Sequence, residues 1–200
     1  MTLDKDYLVN VSLMGYGVRA DSVLHPTFWK KDISPELEIN FTAARLLLVN
    51  NGYSADADGD GFLEATDASL AVQMGWVAEG TEISGIRLRV PDTNPTYADV
   101  GQAWVGWAQQ AGIGFAFEIA SETIMINQDW YQADYDIWVW GWGWGAEPLS
   151  SLSVWLSSEI TVGGDNCQMP MGEWYTYDPD TGVVYSSFDE NYSLAQRTVN

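Results

Sequence analysis

The chain has 200 residues, of which 46% are hydrophobic, so it can bury the core of one domain or one large lobe. Its 28 acidic and 8 basic residues give a formal net charge of -20. This charge argues against binding of nucleic acid or anionic membrane surfaces, because both need clustered Lys and Arg. No apolar run approaches the ~18 residues that a membrane-spanning helix needs.

The predicted elements alternate between helix and strand. In the first half they are a helix over residues 4–14, a loop over 15–26, a helix from Pro35 to about Asn50, an acidic loop over 56–67 and a strand over 86–90. In the second half they are a helix over 96–111, a strand over 114–119, a short helix over 121–129, a strand over 136–142, turns and short helix over 145–162, loops over 163–182 and a helix over 189–196. This alternation predicts an α/β fold with a mostly parallel sheet.

Four tryptophans follow one another at a spacing of two in the segment YDIWVWGWGWGAEP, at positions 138, 140, 142 and 144. Residues two apart share one face of an extended strand, so the four indoles are expected to project the same way. The interleaved glycines weaken the strand toward its end. A strand that weakens in this way is typical of an edge that faces a ligand. Trp138 and Trp140 could equally well fill the core between the sheet and the helices.

The segment DADGDGFLEATD, residues 56–67, has the spacing of a twelve-residue calcium loop. Asp56, Asp58 and Asp60 occupy positions one, three and five, and a glycine stands at six. The carbonyl of Phe62 at position seven and the carboxylate of Asp67 at position twelve complete the predicted ligands of one structural calcium ion. The Asp at twelve departs from the usual Glu, and the alternative is an acidic turn that binds nothing.

Catalytic arrangements are poorly supported by the composition. The chain has one cysteine and one histidine, which excludes an intrachain disulfide and a Cys/His zinc site and disfavours a Ser-His or Cys-His nucleophile. Acidic pairs such as Asp134 with Asp136, or Asp189 with Glu190, suit the two carboxylates of a glycosidase, but no spacing singles out one pair. The prediction is therefore a non-enzyme.

Five segments carry a resemblance to a known family. They are LDKDYLVNVSLMGYGVRADSVLHP, FTAARLLLVNNGYSADADGDGFLE, IRLRVPDTNPTYADVGQAWVGWAQQAGIGFAFE, YDIWVWGWGWGAEP and YSSFDENYSLAQRT. In this order they resemble the family 5 extracellular solute-binding proteins, the dipeptide and oligopeptide receptors of ABC importers. Lys5 replaces an arginine of the family's first segment.

The resemblance implies a non-catalytic substrate-binding component of an ABC importer, with permease subunits as partners. It implies an α/β lobe of the periplasmic-binding-protein type II fold, with a mixed, mostly parallel sheet flanked by helices. Residues 1–200 are expected to form a single lobe, the second of a two-lobe receptor. The implied location is extracellular or periplasmic, with a membrane anchor in an N-terminal segment outside these residues.

The ligand is expected to meet the loop over residues 15–26, which includes Tyr16, together with Trp142, Trp144 and Glu147. Peptide receptors of the family carry an aspartate shortly after the loop tryptophan that pairs with the ligand's α-amine. Gly145 and Ala146 occupy that place here, so no aspartate is available there for an α-amine. Indoles also stack on sugar faces, and the ligand is therefore expected to be either an oligosaccharide or an oligopeptide. The alternatives are a carbohydrate-binding receptor or a small carbohydrate-active enzyme that uses Asp/Glu pairs and Trp platforms.

Overall fold

A computed structural model describes residues 2–20, 38–54, 56, 58–141, 143, 148–161, 163–165, 175–178 and 183–199. The chain divides into two compact units. The first contains Met1–Arg19, Pro35–Glu122 and Tyr135–Trp140, and the second contains Ala20–Ser34, Thr123–Asp134 and Gly141–Asn200. None of the helices in the described part of the chain combines the length and the apolar character of a membrane span.

The first unit is built around a three-stranded sheet. Its elements are α1 (Lys5–Tyr7) with a π-helical turn (Leu8–Ser12), α2 (Phe41–Asn50), β1 (Tyr53–Ser54), β2 (Glu64–Ala65), α3 (Leu70–Gln73), β3 (Ile86–Pro91), α4 (Pro95–Gln110), β4 (Phe115–Ala120) and β5 (Ile137–Trp138). Strands β3, β4 and β5 pair in the order β4-β3-β5, and both pairings are parallel. The α/β fold with a parallel sheet is therefore confirmed.

Helix α4 is the crossover between β3 and β4, as a parallel pair requires. Its N-terminus is capped by Asn94, whose side chain accepts a hydrogen bond from the Thr96 amide at 2.9 Å. The helix lies so close to the sheet that a Cβ added at Gly101 would meet the Phe117 ring at 2.3 Å. Leu88 and Val90 of β3 are fully buried, and they form the core of this unit together with Leu63.

The N-terminal segment packs against α4 through an edge-to-face contact between Tyr7 and Trp107, at 5.4 Å between ring centroids. The single helix predicted over residues 4–14 is instead a short α-helix continued by the π-helical turn. Helix α2 begins later than predicted, because Asn40 is extended and its side chain accepts from the Ala43 amide at 2.8 Å. Its end at Asn50 is confirmed, and Gly52 follows with φ +88°.

Strand β5 is shorter than the strand predicted over residues 136–142. Two residues are in the strand, and the Val139 amide adds one hydrogen bond of 2.9 Å to the Arg89 carbonyl. Asp136 does not extend the strand, because its carboxylate accepts from the Arg87 amide at 2.9 Å. Trp142 lies outside the described residues.

The second unit has mainly short elements. The described ones are the end of α5 (Glu122–Ile124), a π-helical turn (Met125–Trp130), α6 (Pro148–Leu152), two 3-10 turns (Ser153–Trp155 and Ser157–Glu159), the antiparallel hairpin of β6 (Tyr175–Asp178) with β7 (Val183–Ser186), and α7 (Ser187–Val199). The hairpin was not predicted, since residues 163–182 read as loop. Asp189 near the start of α7 accepts from the Ser157 amide at 2.9 Å.

Candidate functional site

The carboxyl end of β5 carries an aromatic cluster. Trp138 and Trp140 are both half-buried, and their rings meet edge to face at 5.5 Å. Tyr135 lies against Trp138 at 5.8 Å. The contact between the two indoles agrees with their predicted position on one side of the chain. Ligands of open parallel sheets bind outside the carboxyl ends of the strands, which is where Trp138 and Trp140 of this cluster lie.

An ion pair lies on the same face of the sheet as Trp138, since Arg89 is registered with both Trp138 and Glu118. Arg89 is only 7% exposed, and its Nη2 lies 2.9 Å from Glu118 Oε2. A buried guanidinium needs such a carboxylate, because an uncompensated buried charge is costly. The sequence prediction missed this ion pair. The alternating arginines of IRLRV and the glutamate of β4 indicate that a pair is possible, but the sequence does not tell which residues of the two strands are opposite each other.

A second ion pair joins β3 to the turn before β5. Arg87 Nε lies 3.2 Å from Asp136 Oδ2. Partial burial raises the pKa of Asp136, but the hydrogen bonds and the charge of Arg87 lower it more, so this pKa lies below its ordinary value. The Arg87–Asp136 pair therefore holds the start of β5 against β3, whereas the Arg89–Glu118 pair joins β3 to β4.

The predicted ligand-binding residues are only partly described. Tyr16 is 94% exposed, so its ring is available to a ligand. Trp142, Trp144 and Glu147 lie outside the described residues. The described cluster of Tyr135, Trp138 and Trp140 directly precedes them in sequence. Clustered half-buried aromatic rings offer flat faces for stacking, which suits a sugar ring or a planar peptide group.

The acidic loop gathers three of its five predicted calcium ligands. Carboxylate oxygens of Asp56, Asp58 and Asp60 lie within 4.8 Å of one another. Asp67 is exposed and is not part of this cluster, and its backbone carbonyl accepts from the Gln73 side chain at 3.4 Å. Phe62 donates its amide to Asp60 Oδ1 at 2.9 Å. Oxygen donors at this spacing fit the hard donor set of calcium, with the ligand at position twelve separate from the others.

Backbone amides of the loop also point at these carboxylates. Asp56 accepts from the amides of Gly59 and Gly61, at 2.5 and 2.6 Å. Partial burial raises the pKa of Asp56, but the backbone N–H groups, first that of Gly61, lower it more, so its pKa lies below the ordinary value. The loop therefore holds a dense negative charge at neutral pH.

Comparison with protein families identifies the chain. The family model described as "Bacterial extracellular solute-binding proteins, family 5 Middle" matches residues 1–162. The chain belongs to this family. The family 5 membership confirms the resemblance found in the sequence, and the members of this family are extracellular or periplasmic binding proteins. None of the curated proteins compared with this family 5 chain matches it.

Solved structures share the fold of this family 5 chain. Oligopeptide-binding AppA from Bacillus subtilis, in complex with a nonapeptide, is 24% identical with a TM-score of 0.57, over 74% of this chain and 27% of AppA. NikA from Brucella suis, in complex with Fe(III)-EDTA, is 20% identical with a TM-score of 0.64, over 86% of this chain and 31% of NikA.

A third similar structure is the periplasmic oligopeptide-binding protein from Thermotoga maritima with bound mannohexaose. It is 12% identical with a TM-score of 0.66, over 86% of this chain and 32% of that protein. The three likenesses confirm the type II periplasmic-binding-protein fold. The chain spans 27% to 32% of the length of these three structures.

Proposed function

We propose that this chain is part of the substrate-binding component of an ABC importer and that it binds its solute without chemical conversion. The observation that carries the proposal is the family match over residues 1–162. The aromatic cluster at the carboxyl edge of a parallel sheet supports it, because this edge is where such folds bind ligands. The permease subunits of the importer are the proposed protein partners.

The proposed ligand is an oligopeptide or an oligosaccharide, held in a cleft between this lobe and a second lobe. Aromatic stacking by Trp142 and Trp144 is the proposed main contact with the ligand, and Tyr16 and Glu147 are the other proposed contact residues. Similar structures were solved with a nonapeptide and with mannohexaose, so one fold accommodates both classes.

A binding screen tests this proposal. The receptor that contains this chain is titrated with peptides of two to nine residues and with linear oligosaccharides, and tryptophan fluorescence and thermal unfolding are followed. We expect one class to bind, and we expect Trp142→Ala and Trp144→Ala to weaken binding at least tenfold. The matched control is Trp76→Ala, since Trp76 is 69% exposed and follows α3.

Two results would reject the proposal. Hydrolysis of a bound glycoside or peptide, abolished by one carboxylate substitution, would make the protein an enzyme. Equal weakening by Trp76→Ala and Trp144→Ala would show that the effect of the loop tryptophans is not local.

The proposed location is outside the cytoplasmic membrane with an N-terminal membrane anchor, which protease accessibility on intact cells checks.

We also propose that the acidic loop binds one structural calcium ion through Asp56, Asp58, Asp60, the Phe62 carbonyl and Asp67. The gathered carboxylates of the first three residues support this proposal. Isothermal titration with calcium, after removal of bound ions by a chelator, is expected to give one site per chain. Absence of heat at that stoichiometry would remove the proposal and would leave the solute-binding function intact.

A further inference from the structure

A groove on the first unit lies apart from the sheet edge. Its cavity of about 600 Å³ is lined by one face of α2 and the last residue of α4. We name it the α2 groove; its lining residues are Phe41, Thr42, Arg45, Leu46, Val49 and Gln110. Small-molecule sites commonly have volumes of about 300–1,000 Å³, so this cavity has the size of a ligand site.

The α2 groove is apolar with one cation in its middle. Phe41, Arg45 and Val49 are spaced by four residues, so they follow one another along one face of α2. Leu46 is 57% exposed and Val49 is 43% exposed, although both are aliphatic. A ligand with an apolar chain would cover this surface, and a negative charge on the ligand would match the positive charge of Arg45.

Arg45 is half-buried and has no protein partner among the residues that the structure describes. The other buried or half-buried guanidinium groups are each paired, as Arg19 with Glu38 at 3.1 Å and Arg89 with Glu118 at 2.9 Å show. This difference stands out in a chain with 28 acids and 8 bases. A guanidinium carries five N–H donors, so Arg45 offers a ready fork for a carboxylate.

The guanidinium lies close to the C-terminal end of α4. A Cβ added at Gly112 would lie 2.8 Å from Arg45 Nη1, so the guanidinium lies directly over the residues that end the helix. The C-terminus of a helix is its negative end and favours a nearby cation. Gln110 adds an amide, and Thr42 a hydroxyl, to the polar part of the groove.

We infer that the α2 groove binds an aliphatic monocarboxylate, with its carboxylate on Arg45 and its chain on Phe41, Leu46 and Val49. Val49 also lines a second cavity of about 500 Å³, together with Leu70 and Gln73. The two cavities give an aliphatic chain room to extend along the surface. This site is independent of the proposed solute site, because it uses none of the same residues.

Octanoate is the probe that tests the inference. We expect a titration of the ¹⁵N-labelled chain with octanoate, followed by NMR, to shift the amide signals of α2 and of Gln110 in a saturable way. Octanamide, which has the same chain and no charge, is expected to bind at least tenfold more weakly. Tenfold corresponds to about 1.4 kcal/mol.

Two substitutions and one matched control test whether Arg45 supplies the charge that binds the carboxylate. Arg45→Gln is expected to weaken octanoate binding at least tenfold. Leu46→Glu, at an exposed position that does not disturb the core, replaces an apolar side chain of the groove with a carboxylate that repels the probe, and it is expected to abolish binding. Arg197→Gln removes an exposed arginine of α7 and is expected to change nothing. Equal binding of octanoate and octanamide, or unchanged octanoate binding in Arg45→Gln, would overturn the inference, as would the absence of saturable shifts in the unmodified chain.

Discussion

The β3-α4-β4 segment and the acidic loop differ in what holds them. In the first, Leu88 and Val90 are fully buried under α4, and Gly101 lets the helix approach the Phe117 ring. In the acidic loop, which covers residues 56–67, the charged side chains accept hydrogen bonds from the loop's own amides. One segment is stabilised by removal of apolar surface from water, and the other by fixed negative charge close to backbone donors.

This difference predicts which substitutions and solution conditions destabilise each segment. Apolar packing depends on volume and shape and hardly on pH or ions. A loop of gathered carboxylates depends on charge, because each carboxylate repels the others unless a cation or an N–H group lies between them. The buried Leu63 links the two regions, since its amide donates to the Gly112 carbonyl at 2.9 Å just after α4.

The largest effect is expected in the core of the sheet. Leu88→Ala should lower the free energy of unfolding by about 3 kcal/mol, because it leaves a cavity at a fully buried position. Ile119→Ala on the neighbouring strand is the control, since Ile119 is 56% exposed and should cost less than about 0.5 kcal/mol. Urea unfolding followed by circular dichroism measures both. Similar costs would contradict the assignment of the core.

The next effect concerns calcium and the acidic loop. Calcium at a hundredfold excess over its dissociation constant should raise the free energy of unfolding by about 2.7 kcal/mol relative to the chelated protein. Asp58→Ala should remove this gain with little change in chelator, because the Asp58 side chain is exposed and accepts one long bond of 3.3 Å.

The matched control for the calcium experiment is Asp99→Ala, an exposed acid on α4. This variant should keep the full calcium response, since it lies outside the loop. Thermal unfolding with calcium and with chelator is the measurement. An equal response of both variants would mean that calcium acts on the general negative charge and not on the loop.

The third effect uses two glycines of one helix. Gly101→Ala should destabilise the chain by about 2 kcal/mol, because the added Cβ would meet the Phe117 ring at 2.3 Å. Gly106→Ala has open space around the new Cβ and should stabilise the chain by up to about 1 kcal/mol through helix propensity. Opposite signs of the two changes in urea unfolding are the expected result. A gain for Gly101→Ala would show that the helix tolerates a wider separation from the sheet.

The smallest effect is a pH dependence. Partial burial raises the pKa of Asp136 in the folded chain, but the hydrogen bonds and charge of Arg87 lower it more, so it lies below the value of about 3.9 for an unfolded aspartate. Its stabilising contribution is therefore present above about pH 4 and is lost as the pH falls through the folded pKa. Because the Asp136 side chain is 42% exposed, solvent screening limits this contribution to less than about 1 kcal/mol.

Asp136→Asn isolates this contribution. The difference in unfolding free energy between the unmodified chain and this variant should be present at pH 7 and should shrink as the pH falls below about 4. Asp99→Asn serves as the control, since Asp99 forms no ion pair among the described residues. A difference that stays constant with pH would mean that the effect comes from the altered hydrogen bonds and not from the charge.

Local patterns in the sequence predicted the regular parts of the chain. The alternation in IRLRV predicted β3, the apolar spacing predicted α4, and Gly112 marked its end at φ +88°. The same patterns predicted a longer strand at Trp138 and an earlier start of α2. In both places a side chain, Asp136 or Asn40, bonds to a backbone amide and sets the boundary. Such competition between side chain and backbone is not visible in periodicity.

The sequence by itself determined the fold class, the family and the candidate residues of the acidic loop. Their spacing along the chain carries these conclusions, since periodicity and motif spacing are local properties. Only the tertiary structure decided the partner of Arg89, the approach of α4 to the sheet at Gly101, and the position of Arg45 beside the end of α4. These features join residues far apart in sequence, and strand register and helix packing bring them together.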